Sequence, residues 1–208
     1  MMKLIRKTIE PESWPILYDK PFTPENFASD FTIRDGSWHV EDGWLIGENP
    51  NNSAAMTTMK EKFYGPICLD FYAKVLDPCT HDINCMWSGS WDEETNTRQT
   101  AYVAGIGGWW DAKVGFERSP DYKLNSATKL LGFEAGKLYH LQVGSVGGHA
   151  FVIVDGQLAL ESTDPDPIDQ TTHGMIGFEA YCTRVAFTDF KIRRASAEDA
   201  EMSYDPEF

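Results

Sequence analysis

Apolar and polar residues alternate along most of this chain, at the two-residue period of a half-buried strand. The clearest case is ICLDFYAKVL. There Ile67, Leu69, Phe71, Ala73 and Val75 fall on one face, and Asp70, Tyr72 and Lys74 on the other. Residues 31–47, FTIRDGSWHVEDGWLIG, read as short strands around a turn, with Trp38, Val40, Trp44, Leu45 and Ile46 as the apolar side. Trp38 and Trp44 are expected in the core. Residues 174–194, GMIGFEAYCTRVAFTDFKIRR, read as a matching strand pair near the other end. Between them DINCMWSGSW, TAYVAGIGGWW, KLYHLQVGS and AFVIVDGQLALES read as further strands. Gly147-Gly148 and Asp155-Gly156 are hairpin signals, because Gly takes positive φ readily and Asp tolerates it. Helical periodicity is almost absent. The exception is PFTPENFASD, where Thr23 as N-cap and Pro24 at the first helical position predict one short helical turn.

Many strands punctuated by Gly and Asp turns predict an all-β chain, a two-sheet antiparallel jelly-roll sandwich with ligands in the hollow of a curved sheet. The reading divides the chain into an N-terminal extension (1–16), one jelly-roll domain (17–194) and an acidic tail (195–208). Pro11, Pro15, Pro21 and Pro24 punctuate residues 1–30, which are expected to wrap the outside. The tail is expected to be frayed, or helical for one or two turns.

Composition narrows the partners. At 208 residues, 42% apolar and 13% aromatic, the chain can bury a core without staples. A net charge of −14 argues against nucleic acid and against an anionic membrane surface. The start, MMKLIRKTIEPES, lacks a signal-peptide apolar run, and no segment approaches the ~20 apolar residues of a membrane span. The chain therefore reads as cytoplasmic unless a leader has been trimmed. Cys68, Cys79, Cys85 and Cys182 match no zinc spacing and read as reduced thiols, with a Cys79–Cys85 bridge open to an exported protein.

Candidate chemistry concentrates in SWDEETNTRQTAYVAGIGGWWDAKVGFERSPDYK, residues 90–123. Trp109 and Trp110 there, with Trp87 just before, offer flat rings of the kind that stack on pyranose faces. Arg98, Tyr102, Lys113 and Arg118 could bond sugar hydroxyls or hold an anionic group. Gly105, Gly107 and Gly108 could let a ligand approach the backbone. The plain alternative is that one of Trp109 and Trp110 is core and the other rim. In GFEAYC, parity sets Ile176, Phe178, Ala180 and Cys182 on one face and Glu179 with Tyr181 on the other. Glu179 then either faces the hollow as an acid/base or is a solvated residue of the outer face. Glycoside cleavage commonly needs two carboxylates. Glu117 and Glu179 are the pair to test, with Asp92 and Asp111 in reserve and His81 as the best-placed histidine. No transition-metal, phosphate-loop or dinucleotide pattern is present. No cofactor is required, a structural Ca²⁺ fits this class of sandwich, and Asp189 is its candidate ligand.

The opening WHVEDGWLIG and the closing RVAFTDFKIRR resemble the concanavalin A-like lectin/glucanase superfamily. Within it they are most similar to bacterial jelly-roll proteins of the 3-keto-disaccharide hydrolase type and to their relatives in pectin and glycoside utilisation clusters. The resemblance spans most of residues 17–194 and implies a sugar-binding concave face, with hydrolysis or elimination at a glycosidic bond. The E-x-D-x-x-E strand motif of family 16 glucanases is absent. Three readings follow: a hydrolase or eliminase acting on a glycoside or a modified, 3-keto or uronic, oligosaccharide; a non-catalytic carbohydrate-binding protein; or a subunit that packs its aromatic face on a partner in an oligomer.

Overall fold

The computed structural model describes residues 1–4, 6–49 and 53–200. In chain order the first strands are β1 (Met2–Leu4), β2 (Lys7–Ile9), β3 (Ile16–Tyr18), β4 (Phe31–Asp35), β5 (Ser37–Glu41) and β6 (Trp44–Glu48). The middle strands are β7 (Ala54–Met59), β8 (Ile67–Val75), β9 (Ile83–Asp92), β10 (Thr97–Gly108), β11 (Lys113–Ser119) and β12 (Asn125–Thr128). The last are β13 (Tyr139–Val146), β14 (His149–Val154), β15 (Gln157–Thr163), β16 (Met175–Tyr181), β17 (Arg184–Arg194) and β18 (Glu198–Asp199).

Two large antiparallel sheets form a sandwich. One runs β12-β11-β10-β9-β16-β7-β4, and the other β15-β14-β13-β8-β17-β6-β5, with β3 also paired to β17. The hairpin turns fall where Gly and Asp predict them: Asp155 and Gly156 both have positive φ (50° and 78°), joining β14 to β15. The predicted helical turn is α1 (Pro24–Asp30), whose N-cap Thr23 accepts from the Asn26 N–H at 3.1 Å. Thr23→Ala should lower stability by about 1 kcal/mol, read as a drop in the urea midpoint.

The core lies between the sheets. Alternation delivers Ile67, Leu69, Phe71, Ala73 and Val75 from β8, and Ile176, Phe178 and Ala180 from β16. Phe178 is its hub, with ring centroids 4.3 Å from Phe187, 4.9 Å from Phe190 and 5.4 Å from Phe71. Phe187 and Phe190 are three residues apart, so strict alternation would point one of them outward. A register shift between Thr188 and Lys191, with Asp189 at φ 55°, rephases β17 so that both enter the core. Asp tolerates this left-handed position better than most side chains.

Three expectations are corrected here. Asp189 is this bulge residue; it faces solvent and pairs with Lys191 at 3.7 Å. Among the described residues no three acidic, His or Cys groups cluster to hold a metal. Trp44 is not core: its ring lies on the outer side, with the Lys74 ammonium 4.4 Å from its centroid. The two termini meet in a small third sheet, β1-β2-β18. Residues 198–199 of the tail are thus a strand rather than a helical turn, and 201–208 lie outside the described residues. Cys79 and Cys85 are both thiols, so they are not bridged. No described helix is long and apolar enough to cross a membrane.

Candidate functional site

A hollow of about 730 Å³ opens on the outer face of the seven-stranded sheet. That volume lies within the range of small-molecule sites. Its floor follows from strand register. Glu179 on β16 pairs with Asn84 on β9, Asn84 with Gly105 on β10, and Gly105 with Gly115 on β11. Each alternates with core residues, so all four face outward in one row across the sheet. The two glycines make room for neighbours within the protein, and Gly105 is not a place for ligand approach. A Cβ on Gly105 would sit 1.8 Å from the Ile83 carbonyl oxygen, and one on Gly115 would sit 1.9 Å from the Trp109 ring. Gly107 and Gly108 do line the hollow, and a Cβ added to them would meet the Phe133 ring and the Asp82 carboxyl respectively.

The turn from β10 to β11 forms one wall. Trp109, Trp110, Asp111 and Ala112 have φ of 48°, 51°, 76° and 53°. Each non-glycine in that region stores roughly 1–2 kcal/mol of strain. The turn lays the Trp109 indole against Gly115 and leaves Trp110 73% exposed at the rim. Tyr122 and Tyr181 are also exposed and line the same hollow.

Four carboxyl groups line this space, Asp82, Glu117 and Glu179 at the floor and Asp111 on the rim. Arg98 donates to Glu179 Oε2 at 2.5 Å and to the Ser119 hydroxyl at 2.7 Å. The Glu179 side chain is only 9% exposed, so this guanidinium is what makes its charge tolerable. Glu117 has no comparable partner. Burial, and then the charge of Glu179, push its pKa up to about 7, while Arg98 and groups on Trp109 and Ser119 pull the other way. The Trp109 N–H is buried without a well-aligned acceptor. Asp82 is 5% exposed and accepts from Asn84 Nδ2 at 3.0 Å. Burial, then Glu179, raise its pKa well above the ordinary range. Tyr122 lines the same hollow as Glu117, whose charge raises the Tyr122 hydroxyl pKa.

Of the residues singled out from sequence, Glu117, Glu179, His81, Trp109, Trp110 and Tyr181 line one hollow, and Arg98 braces it from beneath. Others do not. Trp87 and Tyr102 are fully buried in the sandwich, each within 6 Å of Phe116 (5.8 and 5.2 Å). Tyr102 pairs in register with Arg118, and both reach inward to Asp164, at 2.9 and 3.3 Å. Arg118 follows Glu117 directly, so alternation sends the two to opposite faces. Lys113 is not part of the wall. Asp92 caps a turn, accepting from the Glu94 and Thr95 N–H groups. Asp111 sits on the rim and pairs with Lys129. Sequence reasoning missed Asp82, Asn84 and Tyr122; the outward parity of Asn84 between Ile83 and Cys85 was the one available signal.

No family model matches the sequence, and no curated protein matches it. Solved structures do match the fold. A protein of unknown function with a galectin-like fold from Bacillus subtilis has a TM-score of 0.68 at 14% identity, over 90% of this chain and 99% of that one. The carbohydrate-binding module CBM66 from Bacillus subtilis has 0.61 at 14%, over 79% and 96%. A structure described with endo-acting O-glycanases of prominent members of the human gut microbiota has 0.58 at 10%, over 88% and 100%. The likeness is one of fold: the chain is a two-sheet antiparallel jelly-roll sandwich, as these structures are.

Proposed function

We propose that this chain is a carbohydrate-active protein that cleaves a glycosidic bond in the hollow beside the 109–112 turn. One observation carries the reading. Burial raises the pKa of the Glu117 carboxyl to about 7, the range of an acid that delivers a proton near neutrality, and the group opens on a ligand-sized space rimmed by Trp110, Tyr122 and Tyr181. Aromatic rims of this kind suit the apolar faces of sugar rings. The solved structures of the same fold include a carbohydrate-binding module and one described with O-glycanases, which supports the same substrate class.

In this reading Glu117 gives its proton to the departing glycosidic oxygen as the bond to the anomeric carbon breaks. Water adds to that carbon and yields a proton to Glu179 or to solvent. The strands of Glu117 and Glu179 have β10 and β9 between them. Three strand spacings separate those two strands by roughly 14 Å.

A second reading, a binding protein without turnover, draws on the engagement of Glu179 by Arg98. A panel of native and 3-keto glycosides separates the two. Turnover by the parent that falls at least a hundredfold in Glu117→Gln supports catalysis. Sugar binding by both proteins with no turnover by either leaves only the binding role.

A further inference from the structure

We propose that the sugar held in this hollow carries a free amino group, so that an ammonium sits between the carboxyl groups of the floor and the aromatic rings of the rim. The inference rests on the carbohydrate reading above and narrows it. Its first ground is the charge of the wall. Asp82, Asp111, Glu117 and Glu179 line the hollow, and among the described residues no lysine or arginine does. The basic groups nearby are engaged elsewhere: Arg98 on Glu179 and Ser119, Lys129 on Asp111. An anionic sugar would find no free counter-ion on this wall, so the uronic class fits poorly.

The second ground is independent of the acids. Asn84 is 5% exposed on the pocket floor, and its Oδ1 has no hydrogen-bond partner. Its amide donates to Asp82, which leaves the oxygen as one more acceptor calling for a donor. An ammonium brings three donors and one positive charge. The third ground is the rim. Trp110, Tyr122 and Tyr181 surround the opening with π faces, which attract a cation and hold it best where water is excluded.

Proton linkage gives the proposal a signature. Burial, and then the charge of Glu179, raise the pKa of both Asp82 and Glu117. Arg98 is turned to Glu179, and His81, Asp111, Tyr122, Tyr181 and Cys182 are the other titratable groups on the wall. A bound ammonium favours the ionised form of Asp82, so binding releases a proton there, while Glu117 keeps the one the reaction uses.

Titration calorimetry at neutral pH tests this with four disaccharides: one of glucosamine, its N-acetylated counterpart, one of glucose and one of galacturonic acid. The glucosamine disaccharide should bind at least tenfold tighter than the other three. Its heat should change with buffer ionisation enthalpy in the sense of proton release. Glu117→Gln should reduce that preference at least fivefold. Trp110→Ala, at an exposed position that cannot disturb the core, should weaken the amine at least threefold. Equal or tighter binding of the neutral or acidic sugars overturns the amine and leaves the carbohydrate reading standing. Binding of none of the four overturns both. An amine preference unmoved by both substitutions places the ligand elsewhere and also overturns the proposal.

Discussion

Glu117→Gln is expected to make the protein more stable above neutrality and to leave it unchanged in acid. In the unfolded chain this carboxyl ionises near its ordinary value of 4.5, and in the native protein at about 7. Between those values the native state holds a proton that the unfolded chain has released. Raising the pH through that window therefore favours unfolding. Below it both states are protonated and the glutamate resembles a glutamine. Above it the whole difference is present, at most about 3 kcal/mol for a shift of this size. Glutamine has no charge to bury, so the gap between variant and parent should open from about pH 4.5 to about pH 7 and then level off. In a chain of 208 residues this corresponds to roughly 6–12 °C in the unfolding midpoint. Melting both proteins at about pH 4, 6 and 8 measures it. A difference that does not grow with pH would contradict the placement of Glu117. The same substitution removes the proposed acid, so stability and activity should move in opposite directions, as they do where a site keeps a destabilised group for its chemistry.

Arg98→Leu should act in the opposite sense. The Glu179 carboxylate is nearly enclosed, and the guanidinium at 2.5 Å is its ion-pair partner. Removing one member of a buried pair leaves the other charge uncompensated, which costs about 3–5 kcal/mol. Removing both is far cheaper, since a buried pair replaced by apolar side chains of similar volume is often near neutral. Arg98→Leu combined with Glu179→Leu should therefore recover most of the loss. The urea midpoints of the two single variants and the double variant give the coupling. Additive losses would mean that Arg98 braces the sheet through packing and Ser119 rather than through Glu179.

The architecture was legible because alternation is a local property. The β8 pattern, the Thr23-Pro24 helix start and the Asp155-Gly156 turn each depend on a few neighbouring residues, and each was found as read. Parity also separated Glu179 and Tyr181 from Ile176, Phe178 and Ala180. It failed where the register shifts. Counting in twos from the buried Tyr102 sends Arg98 inward. Shifts between Arg98 and Thr100, and between Thr100 and Tyr102, turn it outward to Glu179. The same kind of shift made Asp189 a bulge residue rather than a ligand. Neither shift carries a glycine or proline signal at the residue it re-aims.

Composition and period thus determined by themselves that the chain is a jelly roll with an aromatic-rich segment, because strand formation and turn chemistry are decided within a few residues. Which carboxyls share a hollow was decided only by tertiary structure. Asp82, Glu117 and Glu179 come from three strands or their ends, and they meet because β9, β10, β11 and β16 lie side by side in one sheet. The raised pKa values have the same origin, since burial and a neighbour's charge depend on which strands pack together and not on which residues follow one another.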